Sequence, residues 1–221
     1  MVGKVRGVNP LLSTIINPSH MIVDTMTSEE LQNEVKRMMP GVIAKANPYA
    51  SIFLRKHLKQ LNNKPIYWKE HNEIIVKGNK ILLYYYSTDG TVRHFCTRYF
   101  MYVNSKEGRE LYMLATSGSA WRLSHHFIKR FCERVGCDRQ NVIFEMIKEL
   151  PDTFKISTVR NYSYVHSKNG LMVIALKNTF VTYMNELSTS KTWIKEYLEH
   201  EYEIYRKYEE SRLQSHFKCA F

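Results

Sequence analysis

Apolar positions change period twice along this chain. From Thr27 onward they recur at helical spacing, with Leu31, Val35 and the Met38-Met39 pair on one stripe. Thr27 and Glu30 stand at the two positions of a capping box. Pro40-Gly41 ends or kinks this helix, and a second one is expected after Asn47-Pro48, carrying Ile52, Phe53, His57 and Leu61. From Pro65 the period shortens. Ile74 to Val76, Lys80 to Tyr86, Val92 to Val103 and Glu110 to Thr116 are rich in β-branched and aromatic residues and predict strands. Lys77-Gly78-Asn79, Thr88-Asp89-Gly90 and Lys106-Glu107-Gly108 separate them as turns, which predicts an antiparallel meander.

Ser117-Gly118-Ser119 breaks the sheet, and a helical period then holds to about Val135, where Gly136 stops it. Asp138 is placed to cap a further helix, Gln140 to Leu150, with Val142, Ile143, Met146, Ile147 and Leu150 as its stripe. Two more strands, Leu171 to Leu176 and Phe180 to Met184, join at Lys177-Asn178. A long amphipathic helix is expected from about Thr192, burying Trp193, Tyr197, Ile204, Tyr205 and Tyr208. The predicted fold class is α+β, an antiparallel β-sheet with packed helices. A helical N-terminal extension covers 1–64, and the α+β domain with its long C-terminal helix covers 65–221, the two forming one compact unit.

Composition permits a sizeable core. Apolar residues make up 44% of the 221, with 15 Tyr and 10 Phe, so disorder is excluded as the main state. The formal charge of +11 favours a partner that carries phosphate, nucleic acid before an anionic membrane surface. The longest apolar runs, Ile81 to Tyr86 and Leu171 to Leu176, fall far below the ~20 residues that span a bilayer, so no membrane partner is expected. Met1-Val2-Gly3-Lys4-Val5-Arg6 lacks a secretory h-region, and Cys96, Cys132, Cys137 and Cys219 are too sparse for a disulfide scaffold. A cytoplasmic location is the expectation.

Chemistry concentrates in the run from Ser124 to Arg134. His126, Arg130 and Arg134 follow one another at four-residue steps, so on a helix they advance by only ~40° each and share one ridge. Phe127, Phe131, Val135 and Ile128 fall on the opposite arc, so the helix is expected to lay its apolar side on the sheet and border a cleft with the basic ridge. An imidazole beside two guanidiniums suits proton transfer next to a phosphate clamp. Cleaving RNA without a metal requires deprotonating a 2′-hydroxyl and protonating a 5′-oxygen, and histidine titrates in the range for either step.

His166, near a strand start, is a candidate second imidazole, and Lys191 a further cation on a loop. In Arg93 to Phe100, basic and aromatic residues alternate: Arg98 shares a face with Cys96 and Phe100, and one aromatic face is expected to be buried. The spacing of Cys132 and Cys137 is poor for zinc, and a buried thiol is the expectation for each.

The stretch over roughly 117–187 resembles the barnase/EndoU/colicin/RelE-like ribonuclease superfamily, in particular its small phage and bacterial branches. The matching positions are His126 at a helix start, Arg130 and Arg134 at four-residue steps, the Asp138 to Leu150 helix, and Thr182 in the strand Phe180-Val181-Thr182-Tyr183-Met184. The resemblance implies a toxin-like or phage-associated ribonuclease, without metal or cofactor, that cleaves RNA by 2′-OH transesterification. It implies His126 as general acid or base, Arg130 and Arg134 on the scissile phosphate, Thr182 as a supporting hydroxyl, and a neutralising acidic antitoxin or inhibitor as partner. His166, Lys191 and Arg98 join as substrate contacts. The alternative is a non-catalytic RNA- or protein-binding module using the same basic surface.

Overall fold

The computed structural model describes residues 21–23, 25–105, 108–150, 156–159, 162–167, 172–176, 178–184 and scattered positions between 196 and 210. The fold is α+β. Helix α1 (Ser28–His57) is followed by the meander β1 (Ile66–Val76), β2 (Asn79–Ser87), β3 (Phe95–Ser105), β4 (Gly108–Leu114) and β5 (Ala120–Leu123). Helices α2 (His125–Val135) and α3 (Val142–Glu149) come next, then β6 (Ile156–Val159), β7 (Tyr162–His166), β8 (Met172–Leu176) and β9 (Thr179–Met184). The strands form a single sheet in the order β1-β2-β3-β4-β5-β9-β8-β7-β6. Every described pairing is antiparallel except β5 with β9, where Arg122 and Leu123 lie beside Thr179 and Phe180.

Both faces of this sheet are covered. On one, α1 packs Leu31, Val35, Met38 and Met39 over Ile81, Leu83, Tyr85 and Tyr99. On the other, α2 and α3 pack Phe127, Phe131, Val142, Ile143 and Met146 over Leu82, Tyr84, Phe100, Leu111 and Tyr183. Strand β2, second from one edge, is therefore buried without a break from Ile81 to Ser87. β3 buries both Tyr99 and Phe100, which corrects the expectation of one buried aromatic face.

Helix α1 is one helix where the prolines predict two. Pro40 and Pro48 both lie inside it on exposed positions, so the carbonyls they leave without an amide partner reach water. Its start follows the sequence: the Thr27 hydroxyl accepts from Glu30 N, and Glu30 Oε2 accepts from Thr27 N at 2.8 Å. The helix is tied to β5, in the middle of the sheet, by one amide side chain. Gln32 donates to Ala120 O at 2.7 Å and accepts from Ala120 N at 2.8 Å, as a neighbouring strand would. Gly118, at φ +91, lies so close that a Cβ there would stand 2.7 Å from Lys36 Cα.

Other boundaries shift for local reasons. β1 starts at Ile66, well before Ile74, because a register shift between Tyr67 and His71 breaks the alternation that would mark it. β5, β6 and β7 are additional strands. Asp138 makes no side-chain cap; it precedes a 3-10 turn, Arg139–Asn141, and Asn141 occupies the cap position of α3. The C-terminal helix expected from Thr192 falls mostly outside the described residues, and Ile204, assigned to its buried stripe, is exposed. Among the described residues no helix is long and apolar enough to cross a membrane.

The α2 side of the core rests on Phe127, which is fully buried with its ring 5.4 Å from Phe180 and 5.9 Å from Phe131. Phe127→Ala is expected to lower stability by about 3–5 kcal/mol, measured as a fall in the urea midpoint at unchanged slope.

Candidate nucleic-acid interface

Helix α2 forms because both of its ends are satisfied. Ser124 Oγ accepts from Phe127 N at 3.1 Å, and Gly136 turns left-handed at φ 74 so that its amide donates to Cys132 O. Phe127 and Phe131 are buried, while Ile128 and Val135 are partly so. The opposite side exposes His125, His126, Lys129, Arg130 and Arg134. The ridge predicted from the four-residue spacing therefore exists, and it faces solvent.

Its charges are unequally compensated. Arg130 Nη1 lies 3.0 Å from Glu133 Oε2, and Lys129 Nζ is 4.0 Å from the other oxygen of that carboxylate. Glu133 thus offsets part of two cations. Among the described residues no carboxylate pairs with Arg134, and the helix carries a surplus of positive charge. These are exposed contacts, worth ~0–1 kcal/mol each, so a phosphate can exchange for Glu133 at little cost.

The same face continues onto the sheet. His125 Nε2 approaches Arg109 O at 3.4 Å, and the Arg109 guanidinium lies 4.1 Å from the centroid of the Tyr102 ring. Asn104 pairs with Arg109 and Tyr102 with Leu111 across the β3–β4 turn, and this register brings the two side chains to one side. Tyr102 and Arg109 escape a sequence reading because they are far apart until that register is known. The usable signal was the Lys106-Glu107-Gly108 turn, from which the pairing can be counted.

The remaining candidates do not gather around His126. Thr182 pairs with Ile174, and its neighbour Tyr183 is buried under Phe131, ring centroids 4.7 Å apart. Successive strand residues face opposite sides, so the Thr182 hydroxyl points away from α2. His166 ends β7 and is fully buried, which removes it from any solvent-facing site. Arg98 is half-buried, donating from Nε to Tyr86 OH at 3.2 Å and approaching Met113 Sδ at 3.6 Å, so it is held within the sheet layer. Lys191 lies outside the described residues.

Cys132 and Cys137 are half-buried and adjacent. Burial pushes the Cys137 thiol up to about 12, helped by a hydrogen bond with Cys132. Comparison with protein-family models, with curated proteins and with solved structures returns no match in any of the three.

With so high a pKa, Cys137 holds almost no thiolate at neutral pH. Alkylation by iodoacetamide at pH 7.5, mapped by mass spectrometry, is expected to leave Cys137 unmodified under conditions that label an ordinary exposed thiol.

Proposed function

We propose that this chain binds RNA through the exposed cationic side of α2 together with the Tyr102–Arg109 pair beside it. One observation carries the reading. Five basic or imidazole side chains, His125, His126, Lys129, Arg130 and Arg134, stand exposed on one short helix that is anchored from behind by buried aromatics. Phosphates supply the counter-charge, arginine forks supply paired donors, and the Tyr102 ring with its stacked guanidinium offers a platform for an unpaired base. The chain's net charge of +11 strengthens encounter with a polyanion. An acidic inhibitor or antitoxin protein would compete for the same face. A cytoplasmic location, a toxin-like or phage-associated role and the long C-terminal helix belong with this reading.

A second reading is metal-independent ribonuclease activity, with His126 as the acid–base group beside Arg130 and Arg134. It is favoured by the exposure of His126 within the cationic row. Neither Thr182 nor His166 supports it from where they stand.

Fluorescence anisotropy of a labelled single-stranded RNA, titrated across salt concentrations, tests the binding. The double variant Arg130→Gln/Arg134→Gln is expected to weaken affinity and to flatten the log–log salt slope by about 1.4, near 0.7 for each lost phosphate contact on a single strand. A slope and affinity equal to wild type would remove α2 from the interface. In the second reading, His126→Ala keeps binding and slows RNA cleavage in EDTA by about 10²–10⁴-fold.

A further inference from the structure

The β2–β3 loop holds an arrangement that the α2 face does not explain. Asp89 Oδ2 lies 2.5 Å from His94 Nδ1. The other oxygen, Oδ1, accepts from Thr91 N at 2.9 Å and Thr91 Oγ1 at 2.8 Å, with Ser87 Oγ at 3.3 Å. Burial pushes the Asp89 carboxyl up, but the hydrogen bonds from His94 and Thr91 outweigh it and leave the group below its usual range. The aspartate is thus an ionised acceptor fixed by several donors, with its remaining oxygen aimed at one ring nitrogen.

The loop around it is clamped. Gly90 sits at φ +73, and a Cβ there would overlap the Lys64 carbonyl. Asn63 N donates to Gly90 O, and Thr88 N to His94 O. His94 is half-exposed, and among the described residues its Nε2 makes no hydrogen bond. A carboxylate on Nδ1 fixes the ring, and in the neutral imidazole it holds the proton on that nitrogen and leaves Nε2 as the acceptor, the arrangement a general base needs. Neither nearby hydroxyl is available as a nucleophile. Thr91 Oγ1 donates to Asp89, and buried Ser87 Oγ donates to Thr91 O at 2.8 Å. The protein thus offers Nε2 no hydroxyl of its own, and the proton it takes comes from water or, with RNA bound, from the substrate. Lys64, whose backbone lies against Gly90, and Arg93, next to His94 in the chain, are both exposed and supply positive charge for a substrate phosphate.

We propose that Asp89 and His94 form an acid–base dyad that activates the 2′-hydroxyl of bound RNA. This rests on the RNA reading above. Nε2 takes the 2′-OH proton as the 2′-oxygen bonds to the adjacent phosphorus. The P–O5′ bond breaks, and the leaving 5′-oxygen takes a proton from solvent. The products are a 2′,3′-cyclic phosphate and a 5′-hydroxyl, with no change of oxidation state. Asp89 holds the tautomer and offsets the imidazolium charge. The dyad sits where β3 begins, whereas α2 starts beside the β3–β4 turn at its far end. That is roughly 30 Å along the strand, so binding and cleavage are separable by mutation.

Single-turnover cleavage of a long single-stranded RNA in EDTA tests the dyad, with anisotropy and circular dichroism run on every variant. His94→Ala and the similarly polar His94→Gln are expected to cleave at least 100-fold more slowly than wild type while binding equally well. Asp89→Asn slows cleavage in the same direction. Added imidazole restores part of the rate to His94→Ala, and wild-type products carry cyclic phosphate ends. RNA bound by wild type but never cut overturns the dyad and leaves the binding reading intact, as does cleavage lost in His126→Ala but kept in both His94 variants. Wild type that fails to bind RNA overturns the binding reading itself.

Discussion

Four aromatic rings decide where the positive charge of this molecule is displayed. An isolated helix of eleven residues is marginal in water, and α2 also gathers like charges along one side. Phe127 and Phe131 hold it in place against Phe180 and Tyr183. That contact depends on an irregularity in β9. Ile174 pairs with Thr182 and Ala175 with Phe180, leaving Val181 as an extra residue. A regular strand would turn Phe180 and Tyr183 to opposite faces; the bulge turns both under α2. One inserted residue thus fixes the helix, and the helix fixes the cationic row.

Burial of the sheet on both sides follows the same economy. Tyrosines fill β2 on alternating sides: Tyr85 faces α1, while Tyr84 and Tyr86 face α2 and α3. Each phenol that goes inside needs an acceptor or strongly resists ionisation. Tyr85 OH donates to Asn72 Oδ1 at 2.8 Å, and burial raises its pKa well above the ordinary range. At the other end of the α1 face, Tyr112 OH donates to Glu110, which also binds Arg122. Tyr85 and Tyr112 thus meet their polar groups inside the layers, while the outer side of α2 keeps a row of cations open to a ligand.

Local signals carried much of this into the sequence, and non-local ones did not. Runs of β-branched and aromatic residues made β2 and β3 legible, and Thr27-Glu30 and Gly136 made helix ends legible, because each is decided by neighbours within a few residues. The cationic row was legible for the same reason: a four-residue step is a helical property whatever the tertiary context. β1 was hidden by its own register shift, and the two prolines of α1 suggested a break that solvent exposure makes unnecessary. The expected meeting of Thr182 with His126 depended on which side of β9 each residue takes, and the Val181 bulge is invisible in residue types. The Asp89–His94 contact was masked differently, since Asp89-Gly90 is explained as a turn before any partner is sought.

The single parallel pairing has a mechanical consequence. Among the described residues, the strands of two antiparallel meanders, β1 to β5 and β6 to β9, pair with each other only where Arg122 and Leu123 lie beside Thr179 and Phe180. Arg122 N donates to Asn178 O, and Ser124 N to Phe180 O, across that line. So short a ladder gives little resistance to shear on its own. The rings of Trp121 and Phe127, both near 5.4 Å from Phe180, bridge it like rivets on one side. A force pulling the two halves apart would concentrate there, and loosening those rivets would let the sheet tear along its middle before either meander unravelled.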